Sequence, residues 1–250
     1  MTGNAAHWFV DRHIAEGRGA KTAFEEAWEG GRQLTYGALA KGAGQVADAL
    51  TRSGISREAR AAMFVLDQIE FPQIFWGALK AGVVPVALNT LLSTDVYGAI
   101  LRDSRAAIAF VSQELWDVVA PAVQASPYLR HIVVIGPEAP EVTQSWEAFV
   151  AGTTPAETLD CSGDEIAFWL YSSGSTGAPK GVRHVHSALR QTCDTFARQV
   201  LDIQETDKVF SAAKLFFAYG LGNGMSFPMS VGATSLLFNG RPTPHTVSHI

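Results

Sequence analysis

A chain of 250 residues with 47% hydrophobic and 17% charged side chains can bury a sizeable core, which excludes a disordered polypeptide. Its formal net charge of -5 leaves no basic footprint for nucleic acid and no attraction to an anionic membrane surface. An anionic substrate must then be held by a local device, such as aimed backbone amides, rather than by the overall field.

No apolar run reaches the roughly eighteen residues that a membrane span needs. The opening MTGNAAHWFVDRHIAEG lacks the basic-then-apolar order of a secretory signal. Cys161 and Cys193 are too few for a disulfide framework, so reduced thiols in the cytoplasm are expected.

Helical and strand periods then alternate along the chain. Leu39, Ala43, Val46 and Leu50 recur at helical spacing, predicting an amphipathic helix over 35–53 that stops at Gly54. Strands are predicted over 61–66, 83–88, 107–111 and 131–135, and helices over 71–81, 94–104 and 116–125. Pro85 inside the second of these strands predicts an edge or a bulge. Residues 152–164, rich in Thr, Gly, Pro and Ser, read as a linker between a first lobe (1–151) and a second (165–250). After it come a strand over 165–171, a helix over 187–201, and strands over 208–212 and 234–238. Thr243 followed by Pro244 reads as a helix start with no room to run, so the chain is expected to be part of something longer. Strands alternating with helices predict an α/β fold of stacked, mostly parallel sheets with flanking helices.

The chemistry concentrates in Tyr171-Ser172-Ser173-Gly174-Ser175-Thr176-Gly177-Ala178-Pro179-Lys180-Gly181, expected to lie between a strand and a helix. Its glycines let backbone N–H groups turn toward a ligand, forming an anion-binding concavity. Its hydroxyls add donors or coordinate Mg2+, and Lys180 adds a point charge, which together suit a triphosphate. A flexible Gly/Ser linker is the bland alternative, but linkers rarely adjoin a strand rich in aromatics. A P-loop needs Gly before the lysine and Ser or Thr after it, whereas Pro179 and Gly181 flank Lys180. No G-x-G-x-x-G opens a helix here, so a dinucleotide loop fails too.

This stretch resembles the phosphate-binding signature of the adenylate-forming superfamily of acyl-CoA synthetases, adenylation domains and luciferases. Leu34-Thr35-Tyr36, the run from Leu79 to Asn89, and Phe216-Phe217-Ala218-Tyr219-Gly220 agree with that family in order and spacing. The string from Lys214 to Phe227, with His7-Trp8-Phe9-Val10-Asp11-Arg12, is similar to the benzoate–CoA ligases of its aryl branch. Arg57-Glu58-Ala59-Arg60 departs from the family, which usually carries a Gly-Asp pair there.

The resemblance implies the incomplete large N-terminal domain of an enzyme that converts a carboxylate and ATP to an acyl-adenylate and then passes the acyl group to CoA. It implies phosphate contacts from Ser172, Ser173, Gly174, Ser175, Thr176, Gly177 and Lys180, with Thr176 and Lys180 catalytic and Thr176 beside Mg2+. It implies an aryl pocket at Phe217, Ala218, Tyr219 and Phe227. The partners would be an aryl carboxylate, ATP and CoA, without nucleic acid or membrane, and a homodimer stays open. The family's ribose-holding acidic residue, hinge and C-terminal lysine come later in its order than this chain reaches. An aryl-acid adenylation domain loading a carrier protein, and a nucleotide-binding fragment without catalysis, are the rival readings. His184 and His186 form an H-x-H pair without a third metal ligand nearby, and His186 reads as structural. Arg183 and Arg190 read as a solvated helix face.

Overall fold

Alternating periods build the expected architecture, and the computed structural model describes residues 3–173, 179–248 and 250. The strands are β1 (Thr22–Glu26), β2 (Gln33–Thr35), β3 (Arg60–Phe64), β4 (Val84–Ala87), β5 (Ile108–Ser112), β6 (His131–Ile135), β7 (Gln144–Ser145), β8 (Ile166–Ser173), β9 (Pro179–Val185), β10 (Lys208–Phe210) and β11 (Thr234–Leu237). The α-helices are α1 (Arg12–Ala15), α2 (Tyr36–Arg52), α3 (Glu70–Lys80), α4 (Thr94–Ser104), α5 (Trp116–Gln124), α6 (Trp146–Val150), α7 (His186–Thr192), α8 (Ala218–Leu221), α9 (Phe227–Val231) and α10 (Pro244–Val247). A π-helical stretch, Cys193–Leu201, continues α7, and another, Gly222–Ser226, joins α8 to α9.

The helix termini follow from local chemistry. The Thr35 hydroxyl caps α2 by accepting from the Ala38 N–H at 3.1 Å. Gly54 and Gly82, after α2 and α3, take the left-handed φ values of 68° and 70° that glycine adopts without strain. Pro244 opens α10 behind a reciprocal cap between Thr243 and Thr246.

The larger sheet has the order β7-β6-β5-β3-β4-β8-β9, parallel throughout except for β9. The smaller has the order β10-β11-β1-β2, with β2 antiparallel. Alternate residues of β3 point to opposite faces. Met63 joins a core with Phe24, Leu39, Phe75, Trp76 and Phe168 that links both sheets through α2 and α3. Phe64 joins a second core with Val86, Tyr97, Ile100 and Val111 under α4 and α5. α2 and α3 approach closely at Gly77, where a Cβ would lie 2.6 Å from the Val46 side chain.

Several expectations need correction. Pro85 lies in an internal strand, not at an edge. It is tolerated because pairing with β8 begins only at Val86, so its missing N–H removes no bond from that ladder. The Ser/Gly loop does not run from strand into helix: β9 returns antiparallel to β8, and α7 starts only at His186. Arg183 accordingly sits on a strand, while Arg190 is helical. Strands β1, β2, β7 and β9 had no counterpart in the periodicity. Residues 152–164 carry no helix or strand, and they lie against α2 and α3 through Ala156 N–H to Gly44 O and Leu159 N–H to Lys80 O. β8 and β9 extend the sheet begun by β3 to β7, and β10 and β11 complete the one begun by β1 and β2.

Within the stretch that departs from the family's Gly-Asp pair, Glu58 has a φ of 64°. Its N–H donates to Gly82 O at 2.8 Å, which holds the turn in place. A left-handed conformation costs a residue with a Cβ roughly 1–2 kcal/mol, and glycine's greater freedom in the unfolded chain costs about 0.5–1 kcal/mol. Glu58→Gly is therefore expected to stabilise the full-length protein by about 0.5–1 kcal/mol. Thermal denaturation should show a rise in Tm of a few degrees at most, and a fall would mean that the Glu58 side chain contributes more than its backbone strain costs.

Candidate active site

The antiparallel register of β8 and β9 places Phe168 opposite His184, Leu170 opposite Val182, and Ser172 opposite Lys180. Directly opposed residues share a face. One face of the hairpin therefore carries an aromatic pair at its base, an aliphatic pair in the middle and a polar pair toward its tip. The opposite face turns to α4, where the Tyr171 hydroxyl donates to Asp103 Oδ2 at 2.5 Å. A Cβ at Gly181 would sit 3.2 Å from both Trp169 and Tyr171, so a larger residue would crowd their rings.

Two cavities flank the hairpin. The larger, about 610 Å³, runs between the hairpin, Asn89 and Leu92 after β4, Val96 and Ile100 of α4, and the segment Phe216, Phe217 and Ala218. Ser172, Pro179 and Val182 contribute to its hairpin wall. The smaller, about 120 Å³, lies beside the hairpin base, lined by Phe168, Leu189 of α7, and Leu221, Gly222 and Phe227. Leu170, His184 and Ala218 line both. Two further cavities, about 550 and 390 Å³, contain none of the predicted site residues.

The predicted residues are thus distributed unevenly. Ser172 and Lys180 face each other across the hairpin next to the larger cavity. Ser173 pairs with Pro179 one step nearer the tip. Gly174, Ser175, Thr176 and Gly177 lie outside the described residues. Phe217 is half exposed on the larger cavity, with its ring 4.5 Å from that of Phe216. Ala218 forms the wall between the two cavities. Phe227 is buried against the smaller one, 5.8 Å from Phe196. Tyr219 is 69% exposed and lines neither, so the three aromatics do not form one sandwich.

The two histidines of the H-x-H pair diverge. His184 stacks on Phe168 at 4.6 Å with an interplanar angle of 4°. His186 accepts from the Ala5 N–H through Nδ1 at 3.1 Å, and burial holds its pKa down at about 4. A ring nitrogen that accepts a backbone N–H is unprotonated, so His186 is a neutral tether between the N-terminal segment and the start of α7. Among the described residues, no group of three or more His, Cys, Asp or Glu side chains could hold a metal ion.

Sequence reasoning missed Asp67. It sits just beyond β3 and accepts from the Leu215 N–H at 3.2 Å, anchoring the segment that becomes the Phe216–Ala218 wall. Its second oxygen is 3.8 Å from Lys214 Nζ. Burial pushes its pKa up to about 6 against the pull of Lys214 and of the Leu215 N–H. Burial also lowers the pKa of Lys214, whose ammonium donates to Phe238 O. Phe168, Leu170 and His184 were missed as site residues as well. Reading 179–185 as a strand would have revealed them, because they fall on the same face as Ser172 and Lys180.

Comparison with known proteins places the chain in a family. Residues 11–250 match the AMP-binding enzyme family. The chain is 47% identical over 248 residues to a 4-hydroxybenzoate–CoA/benzoate–CoA ligase of Rhodopseudomonas palustris, covering 98% of this chain and 44% of that protein. It is also 47% identical to a benzoate–CoA ligase of Thauera aromatica, covering 98% of this chain and 46% of that one. The crystal structure of a benzoate CoA ligase from Burkholderia xenovorans LB400 superposes with a TM-score of 0.88 at 39% identity, covering 98% of this chain and 47% of that one. The chain therefore spans slightly under half the length of these relatives.

A carboxyl whose pKa is higher folded than unfolded binds more protons in the folded state, so it adds stability as pH falls and withdraws it as pH rises. For Asp67 the window lies between about 6 and its ordinary 3.8. Asp67→Asn keeps an acceptor for the Leu215 N–H and removes this titration. Relative to Asp67→Asn, the unsubstituted protein should gain stability as pH drops from 7 toward 4, by at most about 1.4 kcal/mol per pH unit. Denaturant titrations of both at several pH values check this, and a difference that shrinks on acidification would reverse the sign.

Proposed function

The chain belongs to the AMP-binding enzyme family, and from that membership we propose that the full-length protein is an aryl acid–CoA ligase. It activates benzoate with ATP to benzoyl-AMP, releasing pyrophosphate, and then forms the thioester with CoA. The observation that carries the aryl assignment is the cavity of about 120 Å³ between Phe168, His184, Ala218 and Phe227. An apolar cavity of about 150 Å³ binds benzene, so this one matches the scale of a single ring and not of a long chain. The relatives named for benzoate–CoA ligase activity support the same reading.

Attack by the carboxylate oxygen on the α-phosphorus of ATP expels pyrophosphate, and charge builds on the leaving group. Donors already aimed at that charge lower the barrier without reorganising. We assign this role to Ser172, Ser173, Gly174, Ser175, Thr176, Gly177 and Lys180, supported by the pairing of Ser172 with Lys180 beside the larger cavity. The donor set suits Mg2+ carried on the triphosphate with a hydroxyl such as that of Thr176, since no acidic cage occurs among the described residues. The ion would neutralise phosphate charge. The larger cavity leaves room for the parts of the reactants outside the ring slot. No described helix is long and apolar enough to cross a membrane, and both cysteines are free, which supports a cytoplasmic enzyme. CoA-dependent release of AMP separates this reading from an adenylation domain that loads a carrier protein.

Lys180→Ala and Thr176→Ala in the full-length protein should each weaken adenylation by about 1.5–4 kcal/mol, the value of charged hydrogen bonds and oxyanion-type donors. Pyrophosphate release at saturating acid measures this, and unchanged rates in both variants would remove the loop from the mechanism.

Ala218→Phe should overfill the ring slot and cost about 1–3 kcal/mol. Benzoate should lose kcat/KM while the KM for ATP stays within about twofold, because the phosphate loop is separate. Medium- or long-chain acids outperforming benzoate in the unsubstituted enzyme would refute the aryl assignment and leave the family membership intact.

A further inference from the structure

His184 is placed to do more than fill space. It lines both cavities, with Ala218 between them. Its ring is held flat against Phe168 at 4.6 Å, and among the described residues neither ring nitrogen has a hydrogen-bond partner. The other polar side chains of the smaller cavity are the hydroxyls of Thr192 and Ser226. The Thr192 hydroxyl donates to Leu189 O at 2.9 Å, and the Cys193 thiol donates to Ser226 O at 3.4 Å. His184 thus brings unpartnered ring nitrogens to a slot lined mainly by apolar side chains.

Its position along the hairpin gives it a direction. Four residue steps lead from Lys180 to His184 along β9, about 13 Å at the usual strand rise. A carboxylate directed toward the phosphate end of the hairpin therefore leaves the far edge of its ring near His184. Burial lowers the pKa of His184 below its ordinary value. At neutral pH the imidazole is then uncharged and offers one donor and one acceptor. A phenolic hydroxyl has the complementary pair, and an aromatic amine supplies a donor. A second carboxylate would enter an apolar slot without a cationic partner.

We propose that His184 is a specificity-determining residue that hydrogen-bonds a hydroxyl or amino substituent on the ring edge remote from the carboxylate. The substrate class then includes aryl acids bearing such a group as well as the unsubstituted acid. This rests on the aryl acid–CoA ligase reading.

The test uses the full-length enzyme with benzoate and 4-hydroxybenzoate, following CoA-dependent AMP release. His184→Phe keeps a flat ring against Phe168 and deletes both nitrogens, and His184→Leu makes the same deletion should the Phe variant not fold. kcat/KM for 4-hydroxybenzoate should fall about three- to tenfold, mainly through KM, as loss of one neutral hydrogen bond predicts. Any loss for benzoate, which makes no such hydrogen bond, should be smaller, so the ratio of kcat/KM for 4-hydroxybenzoate to that for benzoate falls. His184→Gln, which retains a donor and an acceptor, should recover part of the preference. Equal losses for both acids, or an unchanged ratio, would overturn the proposal. If the unsubstituted enzyme turns over aliphatic acids and neither aryl acid, the aryl reading itself fails and takes this inference with it, an outcome distinct from failure of the His184 contact alone.

Discussion

Strand β8 is held on one side by parallel pairing with β4 and on the other by antiparallel pairing with β9. The side-chain period of a strand is two, so a slip of one residue against either neighbour would turn every side chain to the wrong face. In the observed register, Phe168, Leu170 and Ser172 all face the Phe216–Ala218 side, joined by His184, Val182 and Lys180. One ladder thereby carries a gradient from ring-sized apolar slot to polar loop. Trp169 and Tyr171 are committed to the α4 side, with Tyr171 tied to Asp103 and Trp169 under the Arg60 guanidinium. These contacts oppose a slip energetically, since it would exchange buried aromatics for polar groups.

The opposing wall of the cavities depends on buried polar anchors. Asp67 fixes Leu215, and Lys80 is tied to Asp11 at 2.6 Å and to Thr158 at 2.7 Å. Asn4 donates to Leu79 O and Leu159 O, while the neighbouring Ala5 N–H reaches His186. A buried ion pair adds little net stability, but removing one member leaves a charge without water or partner, so such groups act chiefly on geometry. Here they connect the N-terminal segment, α3, residues 152–164 and the start of α7, all of which support the hairpin and its cavities.

Much of this was readable from the sequence where the cause is local. The α2 helix was visible because Thr35, the Leu39–Ala43–Val46–Leu50 stripe and Gly54 each act within a few residues. The Ser/Gly loop stood out because its residue types have few other uses at that density. β9 was not readable: Pro-Lys-Gly-Val-Arg-His-Val lacks a clean apolar alternation, as one face meets a cavity and not a packed core. Pro85 misled for the opposite reason, because a rule about missing donors cannot anticipate where a neighbouring strand starts to pair.

By itself, then, the sequence determined the α/β class, most of the helices, and the stretch from which phosphate chemistry is expected, since periodicity, capping and glycine conformations are properties of adjacent residues. Only the tertiary structure decided that His184 and Phe168 share a wall with Ala218, that Tyr219 stands outside it, and that Asp67 anchors Leu215 across a separation of 148 residues. Such contacts depend on strand order and register, and these are set by the combined burial of both cores rather than by any segment alone.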